Sequence, residues 1–150
     1  MVSSETKPSS SNRKIAFVGT SVNMTDNEER DVRQLIGLIL NSRYTGNEII
    51  ISGGAKGVDT IALEVAKSLG FETLVYKPEY ETWQSYKKRN LQIAKDCDEL
   101  HCISVPVHKT KCYHHEDPEE RNHEKTAGCW TMNKVLELGK SAQLMVTFSR

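Results

Sequence analysis

Short apolar runs alternate with helical patterns along most of the chain. The runs predict five strands, at 15–18, 48–51, 71–76, 99–105 and 142–147. Amphipathic segments lie between them: about four turns after Thr25, where Glu28 completes a capping-box spacing, then 58–69, 84–96 and about 129–138. Strands that alternate with helices in this way indicate right-handed βαβ units. The sequence therefore predicts an α/β fold, a parallel sheet of about five strands with helices on both faces.

The ends of this pattern suggest the domain organisation. Residues 1–13 are rich in Ser and poor in large apolar side chains, which predicts a disordered tail. The remainder, 14–150, is short enough for a single domain. Within it, the segment at about 107–127 has few apolar residues and many Cys, His and charged residues. We expect a long loop there, inserted before the last helix.

Composition narrows the functional classes. The chain has 150 residues, and its 20 basic and 20 acidic residues cancel, which argues against a dedicated nucleic-acid binder. No apolar run approaches the roughly 18 residues that span a bilayer, and the amino terminus has no signal-peptide core. We therefore expect a cytoplasmic protein with no membrane partner, whose four cysteines are thiols or metal ligands.

A glycine-rich turn follows the second strand and opens the second helix. It consists of Gly53, Gly54, Ala55, Lys56 and Gly57. Glycines let the backbone approach a ligand closely, and the first amides of a helix have no partner within the helix. The turn is therefore predicted to bind phosphate. The alternative is an ordinary tight connection without a ligand.

Several residues near this turn have two interpretations each. Lys56 either neutralises a phosphate or is simply solvated. Asp59, in the first helical turn, either caps helix amides or binds a ribose hydroxyl. The small residues Gly19, Thr20 and Ser21 end the first strand beside the turn, where they contact phosphate or ribose or merely end a strand.

The third helix carries a further candidate pair, Arg89 and Asn90. The planar fork of Arg89 suits a phosphate, although a run of charges on a helix is usually a solvated face. The aromatic residues Tyr80, Trp83 and Trp130 lie near these elements. They either stack on a base or brace the sheet.

The inserted loop suggests a second, independent site. It supplies the soft and borderline ligands that Zn²⁺ prefers, and the first two are spaced closely enough to chelate from one turn. A structural zinc would also order a loop with so little to bury. The proposed ligands are Cys112, His115, His123 and Cys129, with His114 or Cys102 as substitutes. No other cofactor is expected.

Three motifs taken together, at 52–60, 89–90 and 127–131, resemble the SLOG superfamily. This Rossmann-like group includes the DprA/Smf DNA-processing proteins and the LOG-type nucleoside-monophosphate phosphoribohydrolases. The resemblance implies a three-layer Rossmann-like fold with a nucleotide or nucleotide-derived ligand across the carboxyl ends of the strands. It also implies ligand contacts from Gly128, Cys129 and Thr131 at the start of the last helix, and a homodimer.

The chain departs from the LOG pattern at its catalytic motif. LOG-type hydrolases carry Gly-Gly-x-Gly-Thr-x-x-Glu at the last helix, whereas here Gly128 alone remains and Lys134 stands at the Glu position. The favoured interpretation is therefore a ligand-binding or sensing protein. One alternative is a nucleotide N-glycosidase that uses Asp59 or Glu64 as its carboxylate. The other is a DprA-like nucleic-acid-binding module, which predicts salt-dependent retention on DNA.

Overall fold

The computed structural model describes residues 12–20, 24–105 and 127–147. Strands and helices alternate throughout these ranges. In chain order they are β1 (Lys14–Gly19), α1 (Asp26–Arg43), β2 (Ile49–Ser52), α2 (Val58–Ser68), β3 (Glu72–Val75), α3 (Trp83–Asp96), β4 (Glu99–Ser104), α4 (Ala127–Glu137) and β5 (Ser141–Val146).

The strands form one parallel sheet in the order β3-β2-β1-β4-β5. This confirms the α/β, Rossmann-like prediction, and the element bounds differ from the sequence pattern by only a few residues. Because the chain leaves β1 toward one edge and later returns to β4 on its other side, the strand order reverses between β1 and β4. Open sheets bind ligands at the carboxyl ends of strands near such a reversal.

Two cores flank the sheet, because alternate strand residues face opposite sides. Ile15 and Phe17 of β1 pack with α1 and α2, whereas Ala16 and Val18 pack with α3 and α4. The helices therefore cover both faces. At the start of α1, Thr25 and Glu28 form the predicted capping box, with reciprocal hydrogen bonds of 3.1 and 2.8 Å.

A buried polar network lies toward the amino end of the sheet, away from the glycine turn. His101 stacks on Phe17 with ring centroids 5.1 Å apart, and its Nε2 lies 2.7 Å from the Tyr44 hydroxyl. That hydroxyl donates to Glu99. Burial, aided by the Arg43 charge, lowers the pKa of His101 to about 4, so this imidazole is neutral at physiological pH.

Some predictions fall on residues that the structure does not describe. These are most of the amino-terminal tail and the inserted loop, so both assignments stay predictions. Arg13, which the sequence assigned to the tail, is described, and its carbonyl accepts a 2.8 Å hydrogen bond from the Ile49 amide. Across the described ranges, no helix is both long and apolar enough to span a membrane.

Candidate functional site

A cavity of about 730 Å³ lies at the carboxyl ends of the strands on the β1-β2-β3 side of the sheet. The glycine turn, the β3–α3 connection, α3 and the start of α4 all contribute to its wall. The lining residues are Val18, Gly19, Gly53, Gly54, Ala55, Lys56, Asp59, Val75, Lys77, Pro78, Glu79, Tyr80, Glu81, Tyr86, Arg89, Asn90 and Thr131. The fold therefore brings most of the residues predicted to bind ligand to a single cavity.

Two positive-φ glycines and several hydrogen bonds hold the glycine turn in a fixed shape. Gly54 and Gly57 have φ values of +76° and +85°, where residues with a Cβ are strained. The Ala55 carbonyl accepts from the amide and the hydroxyl of Thr60, at 3.1 and 2.7 Å. The Val58 amide donates to the Thr20 carbonyl at 3.0 Å, which ties the turn to β1.

Two residues of the turn that line the cavity have backbone donors with no acceptor in the described part of the chain. Among the described residues, the amides of Gly54 and Lys56 have no acceptor, and both residues line the cavity. By contrast, the Ala55 amide donates to Oδ2 of Asp59 at 3.4 Å. The predicted anion site is therefore partly filled by the chain's own carboxylate and partly open.

Asp59 lies in the first turn of α2 and lines the cavity. It is buried, and burial raises the pKa of its carboxyl to about 7, against the opposing effects of the Arg89 charge and the Ala55 and Gly53 amides. Its hydrogen bond from Ala55 agrees with the capping interpretation. A contact with ribose stays a prediction.

Arg89 extends from α3 across the turn. Its Nη1 donates to the Gly53 carbonyl at 2.7 Å and to the Tyr76 carbonyl at 3.0 Å, so its position is fixed from two sides. Its Nε lies 2.6 Å from Oδ1 of Asn90. Arg89 is thus turned inward and is not part of a solvated face.

The guanidinium of Arg89 is packed as well as hydrogen-bonded. Its Cζ lies 5.8 Å from the centroid of the Tyr86 ring. Burial lowers the pKa of Arg89, while the nearby Asp59 raises it. Among the described residues, Nη2 has no acceptor, so this nitrogen remains able to bind a ligand oxygen.

Gly53 is required by this arrangement. Its φ is not positive, but a Cβ at this position would lie 2.5 Å from Nη1 and 2.6 Å from Cζ of Arg89. Gly19 is required for a different reason, since its Cβ would lie 2.0 Å from the Ile103 carbonyl oxygen on β4. The small residue at the end of β1 therefore serves strand packing, although Gly19 also lines the cavity.

The remaining predicted residues divide between cavity and core. Asn90 and Thr131 are buried and line the cavity. Thr20 is fully buried and outside the lining, and its hydroxyl accepts from the Val105 amide at 2.8 Å, so it holds β1 to the end of β4. Ser21 lies outside the described residues, and Gly128 and Cys129 are described only as part of the helix α4.

The zinc prediction remains open. Cys112, His115, His123 and the alternative His114 lie outside the described residues, and Cys129 is described only as part of α4. Cys102, the other substitute, is buried in the core beside α3 and α4. Where the structure does describe side chains, no three of the Cys, His, Asp or Glu type are grouped as a metal would require.

Sequence reasoning missed part of the cavity wall. Lys77 and Tyr86 both line it, and neither was among the predicted site residues. Lys77 directly follows the end of β3, and Tyr86 lies one helical turn before Arg89. The sequence does carry a signal for Lys77, because the carboxyl end of β3 lies at the same edge of the parallel sheet as those of β1 and β2.

The candidate carboxylates of the N-glycosidase alternative lie in different places. Asp59 borders the cavity. Glu64 is on the outer surface of α2, where it pairs with Arg33 at 2.6 Å. Lys134, at the position of the hydrolase Glu, has its Nζ 3.3 Å from Glu137. The structure therefore leaves Asp59 as the member of this pair that could approach a bound sugar.

A parallel sheet of this order with helices on both faces is a Rossmann-like fold, as the resemblance to the SLOG superfamily implied. Within that class, the family model described as DNA recombination-mediator protein A matches residues 4–129. The chain belongs to this family. The predicted superfamily is thereby confirmed.

Solved structures show the same fold at low identity. DNA processing protein A from Streptococcus pneumoniae superposes with a TM-score of 0.63 and 17% identity, over 89% of this chain and 50% of that one. TM1055, a structural genomics target, gives 0.59 and 16%, over 87% and 72%. DNA processing protein A from Helicobacter pylori gives 0.59 and 19%, over 92% and 66%.

The chain thus spans about half the length of the S. pneumoniae protein. The H. pylori protein is described as having a unique single-stranded DNA binding mode. No curated protein matches the chain. Family membership therefore supports the DprA-like alternative of the sequence analysis.

Proposed function

We propose that this chain binds single-stranded DNA and holds one backbone phosphate at the glycine turn. The observation that carries the proposal is the pairing of two acceptor-free amides, of Gly54 and Lys56, with the inward-facing guanidinium of Arg89 in one cavity. The family match and the single-stranded DNA binding of the H. pylori protein support DNA as the source of that phosphate.

The amides and the arginine meet the requirements of a phosphate. Its oxygens need donors that do not already serve another acceptor, and the amides of Gly54 and Lys56 and Nη2 of Arg89 provide them. Because Arg89 is fixed by the Gly53 and Tyr76 carbonyls, little side-chain entropy is lost when a ligand binds.

The rim of the cavity suits an extended strand. Lys56 and Lys77 are exposed there and have no ion-pair partner among the described residues, so their charges are available to further phosphates. Tyr80 is 65% exposed on the same rim and offers a ring to a base. The volume of about 730 Å³ is within the range of sites that enclose a small ligand, which here is one nucleotide unit.

The charge count sets the expected salt dependence. Three cations line the cavity, Lys56, Lys77 and Arg89, and three carboxyl groups, those of Asp59, Glu79 and Glu81, line it as well. On single strands each phosphate contact contributes about −0.7 to the slope of log K against log salt, so three contacts predict a slope of about −2. We therefore expect modest affinity that is lost at high salt.

Binding is measured by the fluorescence anisotropy of end-labelled oligothymidylate at several salt concentrations. Lys56→Gln is expected to weaken binding severalfold and to reduce the magnitude of the slope by about 0.7. Lys67→Gln is the matched control, because Lys67 is exposed at the far end of α2 and outside the cavity.

Two results would contradict the proposal. One is the absence of any anisotropy change at low salt with the wild-type chain. The other is an equal loss of binding in the Lys67→Gln and Lys56→Gln variants, which would mean that the charge acts without the cavity. Unlabelled thymidine monophosphate serves as a competitor, and full displacement at concentrations near those of the DNA would favour the free-nucleotide function instead.

A further inference from the structure

The two tryptophans of the chain meet beside the cavity. Trp83 begins α3 and Trp130 lies in the first turn of α4, and their ring centroids are 6.0 Å apart at an angle of 73°. A lysine lies over each ring: Nζ of Lys87 is 5.7 Å from the centroid of the Trp83 ring, and Nζ of Lys134 is 5.3 Å from that of the Trp130 ring. We call these four residues the tryptophan patch.

The patch is continuous with the proposed DNA site. Tyr86, one helical turn after Trp83, lines the cavity, and so does Thr131, the residue after Trp130. A strand that leaves the cavity toward α3 and α4 therefore meets the patch next.

Exposure distinguishes the patch from an internal brace. Trp83 is 41% exposed, although a ring that only supported the sheet would be expected to be covered. The edge-to-face contact with Trp130 uses one side of the pair and leaves ring surface in solvent.

The two lysines indicate which kind of ligand the tryptophan patch binds. Lys87 and Lys134 place two cations next to an aromatic face, a combination that matches a base with its adjoining phosphates. Lys134 also contacts Glu137, but only at 3.3 Å in an exposed i,i+3 pair, which solvent weakens. Lys134, which stands at the position of the hydrolase Glu, thus supplies the positive charge next to the Trp130 ring.

We infer that the tryptophan patch stacks the base of the nucleotide next to the one whose phosphate occupies the glycine turn. The inference rests on the proposed function and extends it by a second subsite. Base stacking on an aromatic platform tolerates any sequence, because every base has a π face.

Intrinsic fluorescence tests this directly, since Trp83 and Trp130 are the only tryptophans in the sequence. Binding of labelled oligothymidylate is followed by anisotropy, and tryptophan emission is recorded in a parallel titration with the unlabelled strand. We expect emission to be quenched along the same binding curve. An abasic strand of the same length, which keeps the phosphates, is expected to bind without quenching.

Variants provide an independent measurement. Trp83→Leu is expected to weaken oligothymidylate binding by about fivefold to a hundredfold, the range for one stacked base. Trp83→Phe retains a ring and is expected to recover most of this loss. Thermal melts establish that both variants fold, and the wild-type quenching result does not depend on them.

The outcomes separate the two proposals. DNA binding by anisotropy with unchanged tryptophan emission overturns the stacking subsite and leaves the proposed function intact. Equal quenching by the abasic strand also overturns it, because the bases would then play no part. Failure of the wild-type chain to bind DNA overturns the proposed function and the subsite together.

Discussion

Replacing Gly53 with alanine tests whether the glycine turn is shaped around Arg89. The backbone at Gly53 can accept a Cβ without strain, since its φ is not in the positive region. The obstacle is the neighbouring side chain, because the new Cβ would lie 2.5, 2.6 and 3.0 Å from Nη1, Cζ and Nε of Arg89. The guanidinium must therefore move.

The displacement breaks two hydrogen bonds. Nη1 of Arg89 donates to the Gly53 and Tyr76 carbonyls at 2.7 and 3.0 Å. Hydrogen bonds to charged groups contribute about 1.5–3 kcal/mol each, and forcing an extra methyl into a packed site costs about 1–3 kcal/mol. Allowing for partial relaxation, Gly53→Ala should lower the free energy of unfolding by about 2–4 kcal/mol, or about 5–15 °C in Tm.

The assay is a double-mutant cycle followed by urea denaturation. The four proteins are the wild type, Gly53→Ala, Arg89→Ala and the double variant. With the Arg89 side chain removed, the alanine methyl has space, so Gly53→Ala should cost little in that background. An equal cost in both backgrounds would refute the reasoning, because the effect would then arise from the turn itself.

Three further predictions concern stability. The pKa of buried His101 is low in the folded state because of burial and the Arg43 charge. The free energy of unfolding should therefore decrease by about 3 kcal/mol as the pH falls from 6.5 to about 4, at about 1.4 kcal/mol per pH unit. Urea melts should show this decrease in the wild type relative to His101→Phe, and parallel curves for the two proteins would contradict it. Asp59 should give the opposite pH dependence, because its raised pKa favours the protonated carboxyl in the folded protein. The free energy of unfolding, relative to Asp59→Asn, should therefore fall as the pH rises from about 4 to about 7. A difference between the two proteins that does not vary with pH would contradict this. Lys140 donates to the carbonyls of Ala94, Lys95 and Cys97 at the end of α3, so Lys140→Met should lower the free energy of unfolding by about 1–2 kcal/mol, whereas no change would show that these contacts are replaced by water.

The sequence predicted the architecture because each of the signals it used depends on residues that are only a few positions apart. The strand predicted at 48–51, the glycine turn that follows it and the Thr25–Glu28 capping box all appear within a residue or so of where the pattern placed them. The alternation of strands and helices predicted a parallel sheet with helices on both faces, and the structure adds the strand order β3-β2-β1-β4-β5. The family resemblance needed only short motifs, and the match over residues 4–129 confirms it.

The parts that could not be predicted depend on contacts between distant elements. Thr20 was a candidate for ligand contact because it is small and polar, but its hydroxyl binds Val105, 85 residues away in sequence. Gly19 similarly carries no sequence signal of its contact with Ile103. The position of Arg89 depends on the carbonyls of Gly53 and Tyr76, which only the assembled sheet brings to one place.

The central claim is that backbone amides of the glycine turn bind a phosphate of single-stranded DNA. It is tested most directly by nuclear magnetic resonance of the ¹⁵N-labelled chain during titration with short oligothymidylate. The account predicts that the amide signals of Gly54 and Lys56 shift most, in proportion to occupancy, while that of Lys67 stays in place. Saturable DNA binding with the Gly54 and Lys56 amides unmoved would contradict it.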